Sequence, residues 1–220
     1  METKRVRVIG AGLAGSEAAL QLASFGFDVD LYEMRPEKPT PAHRGGALAQ
    51  LVCSNSFKGL ALTSAHGLLK NELNMLGSFL LKAAERTAVP AGESLTVNRD
   101  LFSEEVERLI LACPNITLHR EEVKTLEGEF PTIVAAGPLA SDTLADDIFK
   151  RLGSERLHFF DAIAPVVETE SIDFEHAFYK NRWEKGETED FINCPLDKET
   201  YDLFVQKLRE AESIEPRPFE

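Results

Sequence analysis

Apolar residues recur along this chain with two periods, and the switches between them outline an alternating α/β order. Val6-Arg7-Val8-Ile9 reads as a short strand that runs into Gly10-Ala11-Gly12-Leu13-Ala14-Gly15. A helix follows from about Ala14 to Phe25, with Ala18, Leu22 and Phe25 predicted on its inner face, and Gly26 ends it. Val29 to Tyr32 predicts a second strand closing on Glu33, which completes a β-α-β unit of about 30 residues. From Met34 to about Ala65 the pattern is lost among Pro36, Pro39, Pro41, Gly45, Gly46 and Gly59. A connection that long inside a compact chain is usually functional or mobile. Leu69, Leu73, Leu76, Leu80 and Ala84 then fall on one helical stripe, which Val89-Pro90-Ala91-Gly92 stops.

The alternation continues. Leu95 to Val97 predicts a strand, and the helix after it, near Leu101 to Ala112, is expected to bury Phe102, Val106, Leu109 and Ile110. Ile116 to His119 and Thr132 to Ala135 read as further strands, the latter entering Ala136-Gly137-Pro138. Ser141 is placed to cap a helix through Leu152. From Leu157 the character changes to an apolar, strand-like run through Phe159, Phe160, Ile163, Pro165, Val166 and Val167, where a domain crossing is expected. The last element is a helix near Lys198 to Ala211, capped by Asp197 and predicted to bury Tyr201, Phe204, Val205 and Leu208. Glu215 to Glu220 add no element, and no internal repeat or low-complexity tract is present. The fold class is α/β.

Composition narrows the classes. With 220 residues, 43% hydrophobic and 28% charged, the chain suffices for one large or two small domains and is neither disordered, collagen-like nor a coiled coil. No apolar run approaches the roughly 18 residues of a membrane span, and the start, Met1-Glu2-Thr3-Lys4-Arg5, is no signal peptide. Cys53, Cys113 and Cys194 are too widely spaced for a disulfide framework or a zinc site, so no metal is expected and a reducing cytoplasm is the default location.

A net charge of -13 argues against loose electrostatic binding of nucleic acid or anionic membrane. The charge is uneven: residues 1–110 carry 12 Lys and Arg against 13 Asp and Glu, whereas residues 111–220 carry 12 against 24. Within residues 34–70, Arg35, Lys38, Arg44, Lys58 and Lys70 face only Glu37, and His43 and His66 lie in the same stretch. That basic segment is either a solvated loop or a face for an anionic ligand.

The glycine run is the first candidate chemistry. Gly10, Gly12 and Gly15 match G-x-G-x-x-G between a strand and a helix, with an acidic residue, Glu33, at the end of the next strand. Gly10 permits the tight turn, Gly12 lets a pyrophosphate approach the backbone, and Gly15 seats the helix on the strand. The helix N-terminus then offers free N–H groups and partial positive charge. Glu33 is expected to accept hydrogen bonds from an adenosine ribose and to disfavour a 2′-phosphate, which favours FAD or NAD over NADP; Arg35 weakens that preference. Thr132-Ile133-Val134-Ala135-Ala136-Gly137 is similar to the second signature of two-domain flavoproteins, which tips the choice to FAD. The expected cofactor-binding set is Gly10, Ala11, Gly12, Leu13, Ala14, Gly15, Glu33, Arg35, Ala136 and Gly137.

Further segments carry a more specific resemblance. Glu33-Met34-Arg35-Pro36, Thr40-Pro41-Ala42-His43, Leu51-Val52-Cys53-Ser54-Asn55-Ser56, Gly67-Leu68-Leu69-Lys70, Val89-Pro90-Ala91-Gly92, Ala164-Pro165-Val166-Val167 and Asn193-Cys194-Pro195 together resemble the TrmFO family of folate- and FAD-dependent tRNA (uracil-5-)-methyltransferases. The resemblance runs along essentially the whole chain. It implies a bacterial, cytoplasmic enzyme that transfers the one-carbon unit of 5,10-methylenetetrahydrofolate to C5 of uridine 54 in the tRNA T loop, with reduced flavin as reductant and NAD(P)H renewing it. It also implies a Rossmann-like FAD-binding domain, its outgoing half here at residues 1–155, followed at 156–220 by the start of an inserted α+β domain.

That chemistry needs a thiolate at uracil C6 to activate C5, and a thiolate needs a lowered pKa. By resemblance Cys53 is one of the family's two functional cysteines, its role open between attack on the base, protection of the flavin and proton transfer. Its basic stretch and the neighbouring Ser54, Asn55 and Ser56 suit a reactive thiol. Arg44, Lys58 and Lys70 are candidates for tRNA phosphate contact, and His43 and His66 for phosphate or a folate carboxylate. Family members are about twice this length, with the second cysteine and the return to the FAD domain beyond the match. The resemblance therefore implies an N-terminal portion, holding at most the adenosine-diphosphate end of FAD and inactive alone. A general FAD-dependent oxidoreductase and a non-catalytic nucleotide-binding module remain open alternatives.

Overall fold

The structure, a computed structural model, describes residues 4–153, 167–181 and 189–212. The chain divides into two compact units, one of Met1–Val89 and Glu93–Ala164, the other of Pro90–Gly92 and Pro165–Glu220. Apart from Val167, the apolar run expected from Leu157 lies outside the described residues, as do Glu215 to Glu220.

The first unit is built on a parallel sheet. Strands β1 (Arg5–Ile9) and β2 (Asp28–Tyr32) are joined by helix α1 (Leu13–Ser24). After the long connection come β3 (Ser56–Gly59), α2 (Ala65–Met75), α3 (Phe79–Arg86), β4 (Ala88–Val89), β5 (Ser94–Val97), α4 (Arg99–Leu111), β6 (Ile116–His119), β7 (Thr132–Val134) and α5 (Asp142–Leu152). The strand order β6-β2-β1-β7 makes a four-stranded, all-parallel, Rossmann-like sheet; β3-β5-β4 form a second, antiparallel one. The order reverses between β1 and β7, and in such sheets the crevice at the carboxyl ends of the strands around that reversal receives ligands.

Alternation along the strands sets the layers. Val6, Val8, Val29 and Leu31 are buried, and Val8, Val29 and Leu31 join a core with Leu80, Leu81, Ala84, Leu95, Val97, Phe102, Val106 and Ile110. Phe57 from β3 meets Phe102 edge-on, centroids 5.4 Å apart, at the spacing aromatic pairs favour. The alternate positions are polar: Asp30 takes Arg5 at 3.6 Å and His119 at 3.0 Å, and Arg7 donates to Thr132.

Two of the predicted helical faces of the first unit are corrected. α1 buries Gly15, Ser16, Ala19 and Leu20, while Leu22 is half-buried and Phe25 is 76% exposed. Gly15 fixes that rotation, because a Cβ there would stand 1.7 Å from the Gly10 carbonyl oxygen and only glycine lets this edge of the helix touch the turn. The leucine stripe from Leu69 to Ala84 is two helices, not one. Gly77 adopts φ +82, Ser78 caps α3, and the Glu17 carboxylate of α1 accepts from Ser78 Oγ and from the amides of Phe79 and Leu80. A carboxylate on the free amides of a helix start stabilises the break. Leu69, Leu73 and Leu76 are consequently exposed, and only Leu80 and Ala84 of the stripe reach the core.

Ser141 caps α5 through the Leu144 amide. The second unit contains a 3-10 turn at Thr169–Ser171, the antiparallel pair β8 (Phe178–Tyr179) and β9 (Ile192–Asn193), and helix α6 (Lys198–Glu210). Asp197 caps α6 through the Thr200 amide, but α6 buries nothing: Tyr201, Phe204 and Leu208, expected inside, are all exposed.

Candidate dinucleotide site

A cavity of about 300 Å³ opens at the carboxyl edge of the parallel sheet. Its walls come from the end of β1 and the glycine turn, the end of β2 and the loop after it, residues 121–123 beyond β6, and residues 135–141 beyond β7. A depression of about 470 Å³ elsewhere is lined by residues of α6 alone, and one helix face supplies no convergent walls.

The glycine turn is built for close approach. Gly10 adopts φ +96, and a Cβ there would fall 2.6 Å from the Ala135 carbonyl oxygen and from Ala136 Cα, so the first glycine brings the ends of β1 and β7 together. Gly12, the N-cap of α1, has nothing within 4 Å of where its Cβ would be and lines the cavity with Leu13 and Ala14. The α1 start has no side-chain cap and no acid in its first turn. Its amides and the positive end of its dipole therefore face the space in front of Gly12, the setting that suits a phosphate. Gly15 packs inward, and Ala11 is fully buried: its amide donates to Glu33 Oε2 at 3.2 Å, and its carbonyl accepts from Ser16 Oγ and the Ala49 amide.

Glu33 and Arg35 line the cavity as one buried ion pair, 6% and 3% exposed. Glu33 Oε1 accepts from Arg35 Nε at 2.9 Å and from the Arg35 amide at 3.0 Å. Oε1 is thereby filled, while Oε2, engaged by Ala11 alone, keeps one lone pair for a ligand hydroxyl. The pairing also neutralises Arg35, which removes the free cation that a 2′-phosphate needs. Ala136 and Gly137 line the cavity from β7, Gly137 with φ +65.

The long connection forms the remaining wall. Arg120 Nη1 donates to the carbonyls of Arg35 and Gly46 while Nη2 bonds Glu107 of α4 at 2.8 Å, and the Gln50 amide brackets the Arg44 backbone with two 2.8 Å bonds. Thr40, His43, Gln50 and Val52 line the cavity. Burial pushes the His43 imidazole below its ordinary pKa, Arg35 adds to that shift, and Glu33 opposes it. Cys53, next to Val52, is exposed and does not line the cavity. Ser54, Asn55 and Ser56, expected to serve it, bond elsewhere: Ser54 Oγ accepts from the Ser56 amide, Ser56 Oγ from the Lys58 amide, and Asn55 donates to the Val97 carbonyl.

The basic face expected over residues 34–70 is largely internal. Arg35 is paired, Lys38 meets Glu122 at 2.7 Å, and Lys70 is buried with Nζ on the Phe57 and His66 carbonyls, so Lys70 is no phosphate contact. Arg44, Lys58 and His66 are exposed. Sequence reasoning missed Gln50 and Glu121 to Val123 as lining residues. The latter were findable, since they follow the predicted strand Ile116 to His119 and such edges face the ligand crevice.

The sequence pattern of the family described as glucose inhibited division protein A matches residues 5–220. The chain belongs to that family. It is 49% identical to the methylenetetrahydrofolate–tRNA-(uracil-5-)-methyltransferase TrmFO of Lactobacillus helveticus over 217 residues, 99% of this chain and 53% of that protein. The TrmFO of Aquifex aeolicus is 50% identical over 217 residues, again 99% of this chain and 48% of that one. This member of the glucose inhibited division protein A family thus spans about half the length of the curated relatives it matches. Among solved structures, Aquifex aeolicus GidA aligns with 57% of this chain and 20% of its own, at 21% identity and a TM-score of 0.46. Among the described residues no helix is long and apolar enough to cross a membrane, and no group of three or more His, Cys, Asp or Glu is placed to hold a metal ion.

Proposed function

We propose that this chain is the cofactor-holding part of an FAD- and folate-dependent tRNA (uracil-5-)-methyltransferase that forms 5-methyluridine at position 54 of the T loop in the cytoplasm. One observation carries the reading: a chain about half identical to relatives of that printed activity along 99% of its length also builds an uncapped helix start with Gly12 facing open space. The amides of Leu13 and Ala14 would receive a diphosphate, Glu33 Oε2 a ribose hydroxyl, and Ala136 and Gly137 would flank the ligand. The chemistry that FAD supplies when bound is reducing equivalents, renewed from NAD(P)H, which convert a folate-borne methylene carbon to methyl.

One further step falls to a side chain of this chain. Uracil C5 is a weak nucleophile, and a thiolate adding at C6 converts the ring to an enolate that attacks through C5. Cys53 is the candidate thiol, exposed to a base presented by an RNA loop and adjacent to Val52 in the cavity wall. Arg44 and Lys58, the exposed cations of the same stretch, would contact the RNA backbone. The domain assignment, 1–155 for FAD and 156–220 for the start of a second domain, belongs to the same proposal.

Residues 1–220 exchanged into the Aquifex aeolicus relative provide the test. The exchanged protein should hold FAD and move label from methylenetetrahydrofolate into unmodified tRNA. Gly12→Val should fold normally, because its side chain enters open space, yet weaken FAD about tenfold or more. Cys53→Ser should keep FAD and lose labelling. A folded, FAD-loaded exchange protein that reduces flavin without labelling tRNA would overturn the proposal in favour of a general oxidoreductase.

A further inference from the structure

We infer that His43 is a dinucleotide-binding residue, its Nε2–H donating to an oxygen of the phosphate–ribose strand of the bound ligand. The inference rests on the dinucleotide reading of the cavity and adds a residue on the wall formed by the long connection.

The hydrogen bonds around the imidazole assign its proton. Thr40 Oγ1 lies 2.7 Å from His43 Nδ1 and accepts the His43 backbone amide at 3.2 Å. Among the described residues the Thr40 hydroxyl has no other acceptor, so its own proton is satisfied by donation to Nδ1. A neutral imidazole that accepts at Nδ1 carries its proton on Nε2. His43 lines the cavity, and among the described residues Nε2 has no hydrogen-bond partner. Thr40 therefore sets the ring as a donor toward the space shared with Gly12, Leu13 and Ala14.

Charge makes a neutral donor useful at that place. The Arg35 guanidinium, the nearest cation in this wall, is paired with Glu33. Diphosphate charge is then left to the α1 amides and dipole on one side and to uncharged donors on the other. His43 Nε2 is a neutral donor of this wall with no bond among the described residues, whereas the Gln50 amide is held on the Arg44 backbone through both its oxygen and its nitrogen.

The test titrates this chain with FAD and, separately, with ADP, which shares the adenosine diphosphate. His43→Phe removes the donor and keeps an aromatic ring; His43→Gln returns an N–H near the Nε2 position; His43→Asn returns one only near Nδ1. Thermal midpoints establish that each variant is folded, and His43→Asn carries the comparison with His43→Gln if the phenylalanine is not accommodated. The expected result is a fivefold to tenfold loss of affinity for both ligands in His43→Phe and His43→Asn, about the worth of one neutral hydrogen bond, and recovery to within about twofold in His43→Gln. Folded variants that bind like the wild type overturn the role of His43 while leaving the dinucleotide site intact. Loss with FAD but not ADP also overturns it, because the contact then lies beyond the diphosphate. A wild-type chain that binds neither ligand overturns the dinucleotide reading itself, and this inference with it.

Discussion

Helices α4 and α6 have the same length, 13 residues, and the same kind of start, Asn98 in one and Asp197 in the other, each accepting backbone amides of the first turn. Both carry apolar residues at helical spacing. Yet α4 buries Phe102, Val106 and Ile110 completely, whereas Tyr201, Phe204 and Leu208 of α6 stand more than half exposed. The difference lies in what each stripe meets. α4 packs on α3, α1 and the strands beneath them, with Phe57 against Phe102. Periodicity specifies which face of a helix seeks cover, while only the rest of the fold supplies it. A helix this short is marginal in water without such packing.

The sharpest way to break the comparison is to truncate the central aromatic of each helix. Phe102→Ala should cost about 3–5 kcal/mol in urea unfolding followed through the first unit, the range for a fully buried phenylalanine. Phe204→Ala should stay within about 0.5 kcal/mol, as at an exposed site. Equal losses would mean that α6 is covered in solution. The caps give a smaller contrast. Asn98→Ala should lower the same transition by about 1 kcal/mol, because α4 melts with the core it packs on. Asp197→Ala should leave that transition in place and speed amide exchange in the first turns of α6.

The contrast explains what was legible before any coordinates. Features written in a few adjacent residues were readable: the turn at Gly10, Gly12 and Gly15, the acid at Glu33, and the caps at Ser141 and Asp197. The turn and the caps depend on backbone conformation or on a side chain that reaches only its own turn, and Glu33 is marked by its place at the end of the strand that follows the glycine turn. The break at Leu76-Gly77-Ser78 is also local, but its decisive partner is Glu17, some sixty residues away, and a strong leucine stripe obscured it. Long-range pairings were not readable. Arg35 looked like a free cation until Glu33 folded onto it, Lys70 like a surface lysine until Phe57 and His66 turned their carbonyls toward it, and the rotation of α1 was set by Gly10 against Gly15. In the site, the residues flanking the strand ends were readable, while Gln50 required knowing how the long connection folds back on the glycine turn.

The smallest expected effect is the acid limb of stability, and it again separates the two helices. Glu105 of α4 accepts from Arg108 at 2.7 and 2.8 Å and from Arg86 of α3 at 2.7 Å, and these bonds, Arg108 first, pull its carboxyl down to about 2. The unfolded chain holds a glutamate near 4.3. The folded state therefore gains from the ionised form: the gain is complete above the unfolded value and disappears as pH falls through about 2. Arg86 and Arg108 are well exposed, so the contribution stays below about 1 kcal/mol. Glu105→Gln should lower the neutral-pH plateau of the first unit by up to about 1 kcal/mol and flatten the fall in stability between about pH 4.3 and 2, where the two proteins converge. In α6 the Asp197 carboxyl is also lowered, chiefly by the Thr200 amide, but that helix contributes no buried face to a cooperative transition. Asp197→Asn should accordingly leave the acid limb of the first unit unchanged and shift only the pH at which α6 amides lose protection. If Glu105→Gln and wild type give superimposable acid limbs while Asp197→Asn does not, the ranking of the two helices is reversed, and the cooperative unit would have to include α6.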